Sequence, residues 1–278
     1  ILGLLSKFNL QVTPPGSLKA VHLVSEAGAL AFADRNTYIA DSDFVEVPVD
    51  ELIDDSYLKG RSSLIDPHAA GGQRNAGTPR TKKKTMFAPS DSPEGTSTSH
   101  ISVVDNGGNA VSMTSSIENT FGSRQMASGF LLNNQLTDFS FRPQNKGRFV
   151  ANRAGAGKRP RSSMAPTLVL NEDKSLMMAI GSPGGSRIIG FVTKVLLGVI
   201  DWKLTMQDAI DLPNFLNRNK GIELERNSSL EALAPKLNAL GHTVKTSTLL
   251  SGLQGILISP KGLQGGADKR REGAALWD

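Results

Sequence analysis

Apolar residues recur at helical spacing in several parts of the chain. SLKAVHLVSEAGALAFADRN (17–36) keeps apolar residues at helical spacing, and Ser17 is of a residue type that caps helix N-termini. The apolar positions are Val21, Val24, Ala27, Leu30 and Ala31. A helix is therefore predicted over these residues. Further helices are predicted at 50–65, 186–200, 205–212 and 229–240, the last despite Pro235.

The middle of the chain changes to strand patterns. SHISVVD (99–105) and AVSMTSSI (110–117) flank NGGN (106–109), whose glycines tolerate the positive φ of a tight hairpin. APTLVL (165–170) and SLMMAIGS (175–182) flank NEDK and predict a second hairpin. Two more strands are predicted at 241–247 and 255–260. Hairpins in the middle with helices on either side indicate a layered α/β domain.

One long segment, from Asp66 to Gly95, shows no periodicity. It is rich in Gly, Pro, Thr and Lys. Structureless stretches of this length are uncommon inside compact domains. We therefore expect either a functional loop or a boundary.

Composition excludes several classes of function. The chain has no cysteine, which rules out disulfides, thiol catalysis and Cys-ligated metals. Its net charge is +5, with basic runs at RTKKK (80–84) and DKRRE (268–272), but no aromatic residues interleave with them as a base-stacking surface requires, so nucleic-acid binding is not favoured. The most apolar run (190–202) is interrupted by Lys194 and is too short to cross a bilayer, so no membrane segment is predicted.

Familiar catalytic sets are not evident. None of the four histidines shows metal-ligand spacing, and no G-x-S-x-G motif is present. A Ser-His-Asp triad remains open at this point, although nothing local indicates one. His22 lies within a helical pattern and is predicted to be structural.

EGTSTSH (94–100) places four consecutive hydroxyl side chains at the start of a predicted strand. Such a segment is either a solvated turn or the location of a nucleophile. GSPGGSRI (181–188) lies between a strand and a helix, where backbone N–H groups can converge on a phosphate or an oxyanion, or where the chain simply turns. RPRSSMAPT (159–167) and NNQLTDFS (133–140), taken singly, are typical of turns.

Together these motifs resemble the gamma-glutamyltranspeptidase family, including its cephalosporin-acylase relatives. The matching stretches are TSHISVVDNGGNAVSMTSSIENTFGS, GFLLNNQLTDFS, KRPRSSMAPTLVL and GSPGGSRII, in the order of the family. AGALAFADRNTYIADSDFVEVP (27–48) is similar to the late part of the family's large subunit. The resemblance implies an N-terminal nucleophile hydrolase, an αββα sandwich of α+β class, here partial because the first half of the precursor would be missing.

The resemblance also implies a role for the run of hydroxyls. The family's precursor cuts itself before a threonine, which here is Thr98, so the bond to be cut is Ser97–Thr98. A freed Thr98 would have an α-amine of pKa about 7.7–8, able to take the proton of its own hydroxyl. The β-methyl would restrict χ1 and so limit the positions of Oγ1.

Other roles follow from position in the family's motifs. Ser116 matches the hydroxyl residue that hydrogen-bonds the nucleophile. Glu118 stands where well-studied transpeptidases have an asparagine that touches substrate. The remaining matches are the oxyanion-hole glycines Gly184 and Gly185, the residues for the substrate's α-amine, Gln135 and Asp138, and those for its α-carboxylate, Ser162 and Ser163.

The segment from Arg142 to Lys158 contains no tyrosine, so the lid of some bacterial members is not expected. With Glu118, this leaves the acyl specificity open. The arginine that would pair with the γ-glutamyl carboxylate is expected upstream of Ile1, which itself opens inside a helical pattern. We therefore expect the interior of a longer chain, with any targeting segment upstream.

The resemblance thus implies a self-processing γ-glutamyl amide hydrolase or transferase without cofactor or metal. Residues 1–97 would end the large subunit in a mobile loop, and residues 98–278 would form the small catalytic subunit of the resulting heterodimer. Water, an amino acid or a peptide would accept the acyl group, and a periplasmic or secreted location is expected. Alternatives are a cephalosporin or glutaryl acylase, an uncleaved inactive chain, and, more distantly, a phosphate-binding module.

Overall fold

The computed structural model describes residues 1–81, 87–90, 95–260 and 262–277. The predicted loop from Asp66 to Gly95 therefore lies partly outside the described residues. Its described parts contain no helix or strand. The helices are α1 (Leu2–Leu5), α2 (Leu18–Tyr38), α3 (Val49–Leu52), α4 (Asp55–Ser62), α5 (Ile188–Ile200), α6 (Met206–Asp211) and α7 (Ala234–Ala239).

The strands lie mostly in the second half of the chain. They are β1 (Ser97–Val104), β2 (Ala110–Glu118), β3 (Met126–Ala127), β4 (Phe130–Leu131), β5 (Gln144–Asn145), β6 (Arg148–Phe149), β7 (Thr167–Leu170), β8 (Leu176–Gly181), β9 (Phe215–Asn217), β10 (Ile222–Glu225), β11 (Val244–Ser247), β12 (Gln254–Ser259) and β13 (Gly262–Ala267). In the described part of the chain, no helix is long and apolar enough to cross a membrane.

The long helix α2 begins where the sequence predicts. Ser17 caps it, its hydroxyl accepting from the amide of Ala20 at 3.2 Å. The helix is buried on nearly all sides rather than along one stripe. Gly28 makes this possible, because a Cβ there would lie 2.8 Å from the main-chain oxygen of Asn217 on β9. The helix backbone thus packs directly against a strand backbone.

A four-stranded antiparallel sheet, in the order β13-β12-β8-β7, is the centre of the second half of the chain. Helices α5 and α6 cover one of its faces. The core between them includes Met178 and Ile180 from β8, Phe191 and Val195 from α5, and Met206 from α6. These side chains are almost fully buried, which fixes the end of β8 and the start of α5 relative to each other.

The β1–β2 hairpin lies against this sheet through hydroxyl groups. Ser112 on β2 donates to the carbonyl of Ile180 at 3.0 Å, and Ser102 on β1 donates to that of Gln254 at 3.4 Å. Because side chains alternate along a strand, the same inward face of β1 presents Thr98. The opposite face is apolar and about half exposed, with Ile101, Val103, Val111 and Met113. Helices, sheet and hairpin thus form successive layers.

A smaller sheet, in the order β11-β10-β9, packs with α2 and α7 around a second core. Its strands β10 and β11 run parallel, and β9 is antiparallel to β10. This sheet and its buried Ile222 and Leu224 anchor the first part of the chain to the second.

Several predicted elements differ in detail. The helix predicted at 50–65 is two helices, because Asp54 caps α4 by accepting from the amide of Tyr57 at 3.0 Å. The helix predicted at 229–240 is a 3-10 turn (Ser229–Leu233) followed by α7, with Pro235 in the first turn of α7, where a missing N–H costs nothing. Strands β9, β10 and β13 were not predicted.

Candidate active site

Thr98 and Ser116 face each other across the β1–β2 ladder. They are Cα partners in the register, and both point to the inward face. Their hydroxyl oxygens are 2.9 Å apart, and Thr98 is only 6% exposed. The hairpin therefore holds the two hydroxyls in direct hydrogen-bonding contact, as the sequence predicts for a nucleophile and its partner.

The hydroxyl of Ser116 also contacts the carbonyl that precedes Thr98. It accepts from the amide of Glu118 at 2.9 Å and lies 3.3 Å from the main-chain oxygen of Ser97. A serine hydroxyl has one proton and two lone pairs. If Thr98 donates to Ser116, the single proton of Ser116 is free to point at the Ser97 carbonyl. The Ser116 hydroxyl thus links Thr98 Oγ1 to the carbonyl oxygen of Ser97, the residue on the other side of the predicted cleavage bond.

The backbone is irregular at this bond. The ladder shifts register between Ser97 and Thr98, and the opposing Glu118 adopts a left-handed φ of 72°. The amide of Thr98 donates to the carbonyl of Thr96 at 3.0 Å, which closes a tight turn around Ser97. The left-handed conformation of a non-glycine residue such as Glu118 costs roughly 1–3 kcal/mol of conformational free energy. The register shift thus lies at the Ser97–Thr98 bond, and the left-handed Glu118 lies directly opposite it.

The glycine-rich turn after β8 is buried. Gly184 and Gly185 have φ of 138° and 61°, and a Cβ on Gly184 would lie 2.7 Å from the ring of Phe191. Position 184 therefore requires glycine, both for its φ and for its contact with Phe191. Gly252 packs between Pro183 of this turn and Arg271. A Cβ placed on Gly252 would lie 2.6 Å from the Pro183 side chain and 2.9 Å from that of Arg271.

Arg271 completes the connection to the start of β1. Its guanidinium donates to the carbonyl of Thr96 at 3.3 Å and to that of Leu250 at 3.4 Å. The glycine turn and the start of β1 are therefore joined through two intervening residues.

Glu118 is buried and makes two contacts with its carboxylate. It accepts from the amide of Gly95 at 2.5 Å and from the side-chain amide of Asn134. Asn134 in turn precedes the 3-10 turn Gln135–Asp138. Glu118 thereby connects the residues before Thr98 to the predicted amine-binding segment.

Asp138 is buried at 4% exposure and accepts from the side-chain amide of Gln135. Its main-chain carbonyl accepts from the side chain of Asn152 at 2.8 Å. Asn152 then accepts from the amide of Arg161 at 2.9 Å through its side-chain oxygen. This buried asparagine joins the Gln135–Asp138 turn to the segment that contains the two predicted serines.

The two serines differ in environment. Ser163 is buried and accepts a hydrogen bond from Arg35 of α2, whereas Ser162 is exposed and accepts from the amide of Met164 at 3.1 Å. The Ser162 hydroxyl is therefore on the accessible side of the segment.

His100, two residues after Thr98, does not serve the hydroxyl of Thr98. Its ring nitrogens contact Thr114 Oγ1 at 2.8 Å and Ser102 Oγ at 3.0 Å. Burial lowers the pKa of His100 to about 4, so the ring is neutral at neutral pH. Among the described residues, no histidine ring bonds both a hydroxyl and a carboxylate, so the geometry does not build a Ser-His-Asp triad.

His22 is structural, as predicted. It is buried, and its ring contacts His242 at 2.7 Å and the carbonyl of Asp66 at 2.7 Å. Within the described ranges, no group of three or more His, Asp or Glu side chains is arranged to hold a metal ion.

The order of the motifs and this geometry agree with comparisons to known proteins. The family model for gamma-glutamyltranspeptidase matches residues 1–277. The chain belongs to the gamma-glutamyltranspeptidase family. The layered α+β fold expected from the resemblance is confirmed by solved structures of this family.

Three similar curated relatives are each about twice as long as the chain. A glutathione hydrolase proenzyme of Escherichia coli (strain K12) is 38% identical over 97% of this chain and 46% of its own length. That of Bacillus subtilis (strain 168) is 33% identical over 99% of this chain and 48% of its own length. An acylase ACY 1 proenzyme of Pseudomonas sp. (strain SE83) is also 33% identical, over 99% of this chain. The chain spans about half the length of the curated relatives it matches.

Solved structures are also similar to this chain. Gamma-glutamyltranspeptidase from Pseudomonas nitroreducens complexed with L-DON is 31% identical with a TM-score of 0.57, covering 64% of this chain and 98% of that chain. The structure of LmbA2991HD is 27% identical with a TM-score of 0.71, covering 96% of this chain and 50% of that chain.

Some residues that contact the predicted site residues were not themselves predicted from sequence. These are Asn134, Asn152 and Arg35. Asn134 stood within NNQLTDFS, and its place beside Gln135 was the only local signal for it.

Proposed function

We propose that this chain is the C-terminal part of a self-processing precursor that cuts the Ser97–Thr98 bond and then uses Thr98 to hydrolyse or transfer γ-glutamyl groups from glutathione-type substrates. The observation that supports it most directly is the Ser116 hydroxyl, which contacts both Thr98 Oγ1 and the carbonyl oxygen of Ser97. Family membership and the glutathione hydrolase relatives support the same reaction class.

The first step is chain cleavage. Thr98 Oγ1 forms a bond to the carbonyl carbon of Ser97, and its proton passes through the Ser116 hydroxyl to the carbonyl oxygen. The C–N bond then breaks, Thr98 nitrogen takes up that proton, and an ester joins Ser97 to Thr98 Oγ1. Water hydrolyses the ester, which leaves a carboxylate on Ser97 and a free α-amine on Thr98.

The second step is acyl transfer. The α-amine of Thr98 takes the hydroxyl proton, and Oγ1 attacks the γ-carbonyl of the substrate. The amides of the Gly184–Gly185 turn stabilise the oxyanion, and the leaving amine takes the proton. Water, an amino acid or a peptide then accepts the acyl group from the ester.

Substrate binding uses two sets of residues, one charged and one with hydroxyl groups. Asp138 and Glu118 supply negative charge for the substrate's α-amine, with Gln135 beside them. Ser162 and Ser163 supply hydroxyl donors for its α-carboxylate. In this proposal residues 1–97 end the large subunit, residues 98–278 form the small subunit, and the mature enzyme is their heterodimer in a periplasmic or secreted location.

Mass spectrometry of the complete precursor tests the proposal. The wild type should yield a fragment that begins at Thr98, and Thr98→Ala should remain one chain because the attacking hydroxyl is absent. Thr98→Ser should still cut. A wild type that stays uncut, or a fragment beginning at residue 98 from the alanine variant, would contradict the proposal.

A further inference from the structure

The carboxylate of Glu118 has a second contact that substrate binding does not explain. In the uncut chain it accepts a 2.5 Å hydrogen bond from the amide of Gly95, three residues before Thr98. Gly95 is packed so closely that a Cβ there would lie 2.1 Å from the main-chain oxygen of Glu118. The segment before the cleavage point is therefore seated on Glu118 through both its side chain and its backbone.

The same residue is attached to the reacting groups from its other side. The amide of Glu118 donates to Ser116 Oγ at 2.9 Å, and Glu118 is the ladder partner of Ser97. Its second carboxylate oxygen accepts from Asn134, and the residue is 6% exposed. The carboxylate is thus held by two donors inside the protein, with little freedom to move.

We propose that Glu118 is a positioning residue for chain cleavage. Its carboxylate accepts the hydrogen bond of the Gly95 amide, so that the Ser97 carbonyl stays beside the Ser116 and Thr98 hydroxyls. This rests on the proposed self-processing function. Before the cut, the Gly95 amide is bound to the Glu118 carboxylate, which would bind the substrate's α-amine afterwards. Release of the segment after the cut then frees the carboxylate for substrate.

The test uses the complete precursor and follows the rate at which the chain beginning at Thr98 forms. Glu118→Ala should slow this rate by at least about tenfold, because a hydrogen bond to a charged group is lost from the segment. Glu118→Gln should cut faster than Glu118→Ala, since its side-chain oxygen still accepts from Gly95, but slower than wild type, because its amide group then faces the donor of Asn134.

A double-variant cycle separates positioning from general damage. Asn134→Asp retains the acceptor for the amide of Asn119 but sets a carboxylate against Glu118, so cleavage should slow. Combining Asn134→Asp with Glu118→Gln supplies an amide donor to the new carboxylate and should restore cleavage to within a few-fold of wild type.

Gly95→Ala should also slow cleavage, because its Cβ meets the backbone of Glu118. Gly60→Ala is the matched control, since a Cβ there has open space, and it should not change the rate.

A wild type that cuts, with Glu118→Ala cutting equally fast, would overturn the inference and leave the proposed function intact. A double variant as slow as Asn134→Asp alone would overturn it as well. A wild type that never cuts would instead remove the proposed function on which the inference rests.

Discussion

Asn152 donates its side-chain amide to the main-chain carbonyl of Asp138 at 2.8 Å, and both residues are buried. The same side chain accepts from the amide of Arg161, which immediately precedes Ser162. One asparagine therefore sets the distance between the residues proposed for the substrate's α-amine and those proposed for its α-carboxylate.

Asn152→Ala should raise KM for a γ-glutamyl anilide by about two- to tenfold, the range of one or two neutral hydrogen bonds, with kcat little changed. Asn152→Asp keeps the acceptor for Arg161 but sets a buried carboxylate against the carbonyl of Asp138, so it should raise KM at least as much. Steady-state kinetics of the matured enzyme measure both constants. A fall in kcat with unchanged KM would mean that Asn152 acts on the Thr98 site instead.

Ser116→Ala should slow chain cleavage by about a hundredfold or more, because the single donor to the Ser97 carbonyl is removed. Ser116→Thr should cut, since the hydroxyl is retained. The control is Ser102→Ala, which removes another inward-facing hydroxyl of the hairpin away from the bond. A time course of fragment formation by mass spectrometry compares them. Equal slowing in the control would assign the effect to hairpin packing.

Asp138→Ala should lower kcat/KM for a γ-glutamyl anilide by at least about tenfold, because a charge-assisted hydrogen bond contributes roughly 1.5–3 kcal/mol. Its effect on a glutaryl amide, which lacks the α-amine, should be much smaller. Both substrates are measured with wild type and variant after maturation. Equal losses would show that Asp138 does not recognise the amine, and a wild type that prefers the glutaryl amide would favour an acylase.

Lys194 gives a pH-dependent prediction for stability. Its amine is buried and donates to the carbonyls of Ile210 and Leu212 at 2.9 and 2.5 Å. Burial, with the nearby Arg270 charge adding to it, lowers the pKa of Lys194 to about 7. Between this value and the ordinary lysine pKa of about 10.4, the unfolded chain binds more protons than the folded chain, so stability from this group rises with pH.

The free energy of unfolding of wild type should therefore rise relative to that of Lys194→Met from pH 7 to pH 9, by up to about 1.4 kcal/mol per pH unit. Urea denaturation at several pH values measures this difference. Lys203→Met, at an exposed lysine, is the control. A difference that does not change with pH would mean that Lys194 keeps its ordinary protonation when folded.

The parts of the fold that the sequence predicts are those with local signals. Ser17 caps α2, and the glycines of residues 106–109 turn the β1–β2 hairpin, because each acts within a few residues of itself. Strands β9 and β10 have only three and four residues, too few to show a period. They exist because α2 packs on β9 and because β10 pairs with both β9 and β11, which are non-local effects.

The candidate site divides in the same way. The hairpin turn fixes the register that sets Thr98 opposite Ser116, so this pairing could be predicted once the turn was placed. The contact of Asn152 with Asp138 and that of Arg35 with Ser163 join positions 14 and 128 residues apart. Such contacts depend on how the layers assemble, and no local pattern carries them.

The tight turn around Ser97 also bears on whether the proposed cleavage can be reversed. Its closing hydrogen bond, from the amide of Thr98 to the carbonyl of Thr96, exists only while the chain is continuous. After a cut, the carbonyl carbon of Ser97 is no longer bonded to Thr98, and the left-handed backbone at Glu118 no longer has to match an uninterrupted partner strand. Rejoining the ends would have to rebuild that conformation at a cost of roughly 1–3 kcal/mol, on top of forming a peptide bond in water. The proposed switch from precursor to enzyme is therefore irreversible, and each molecule undergoes it once.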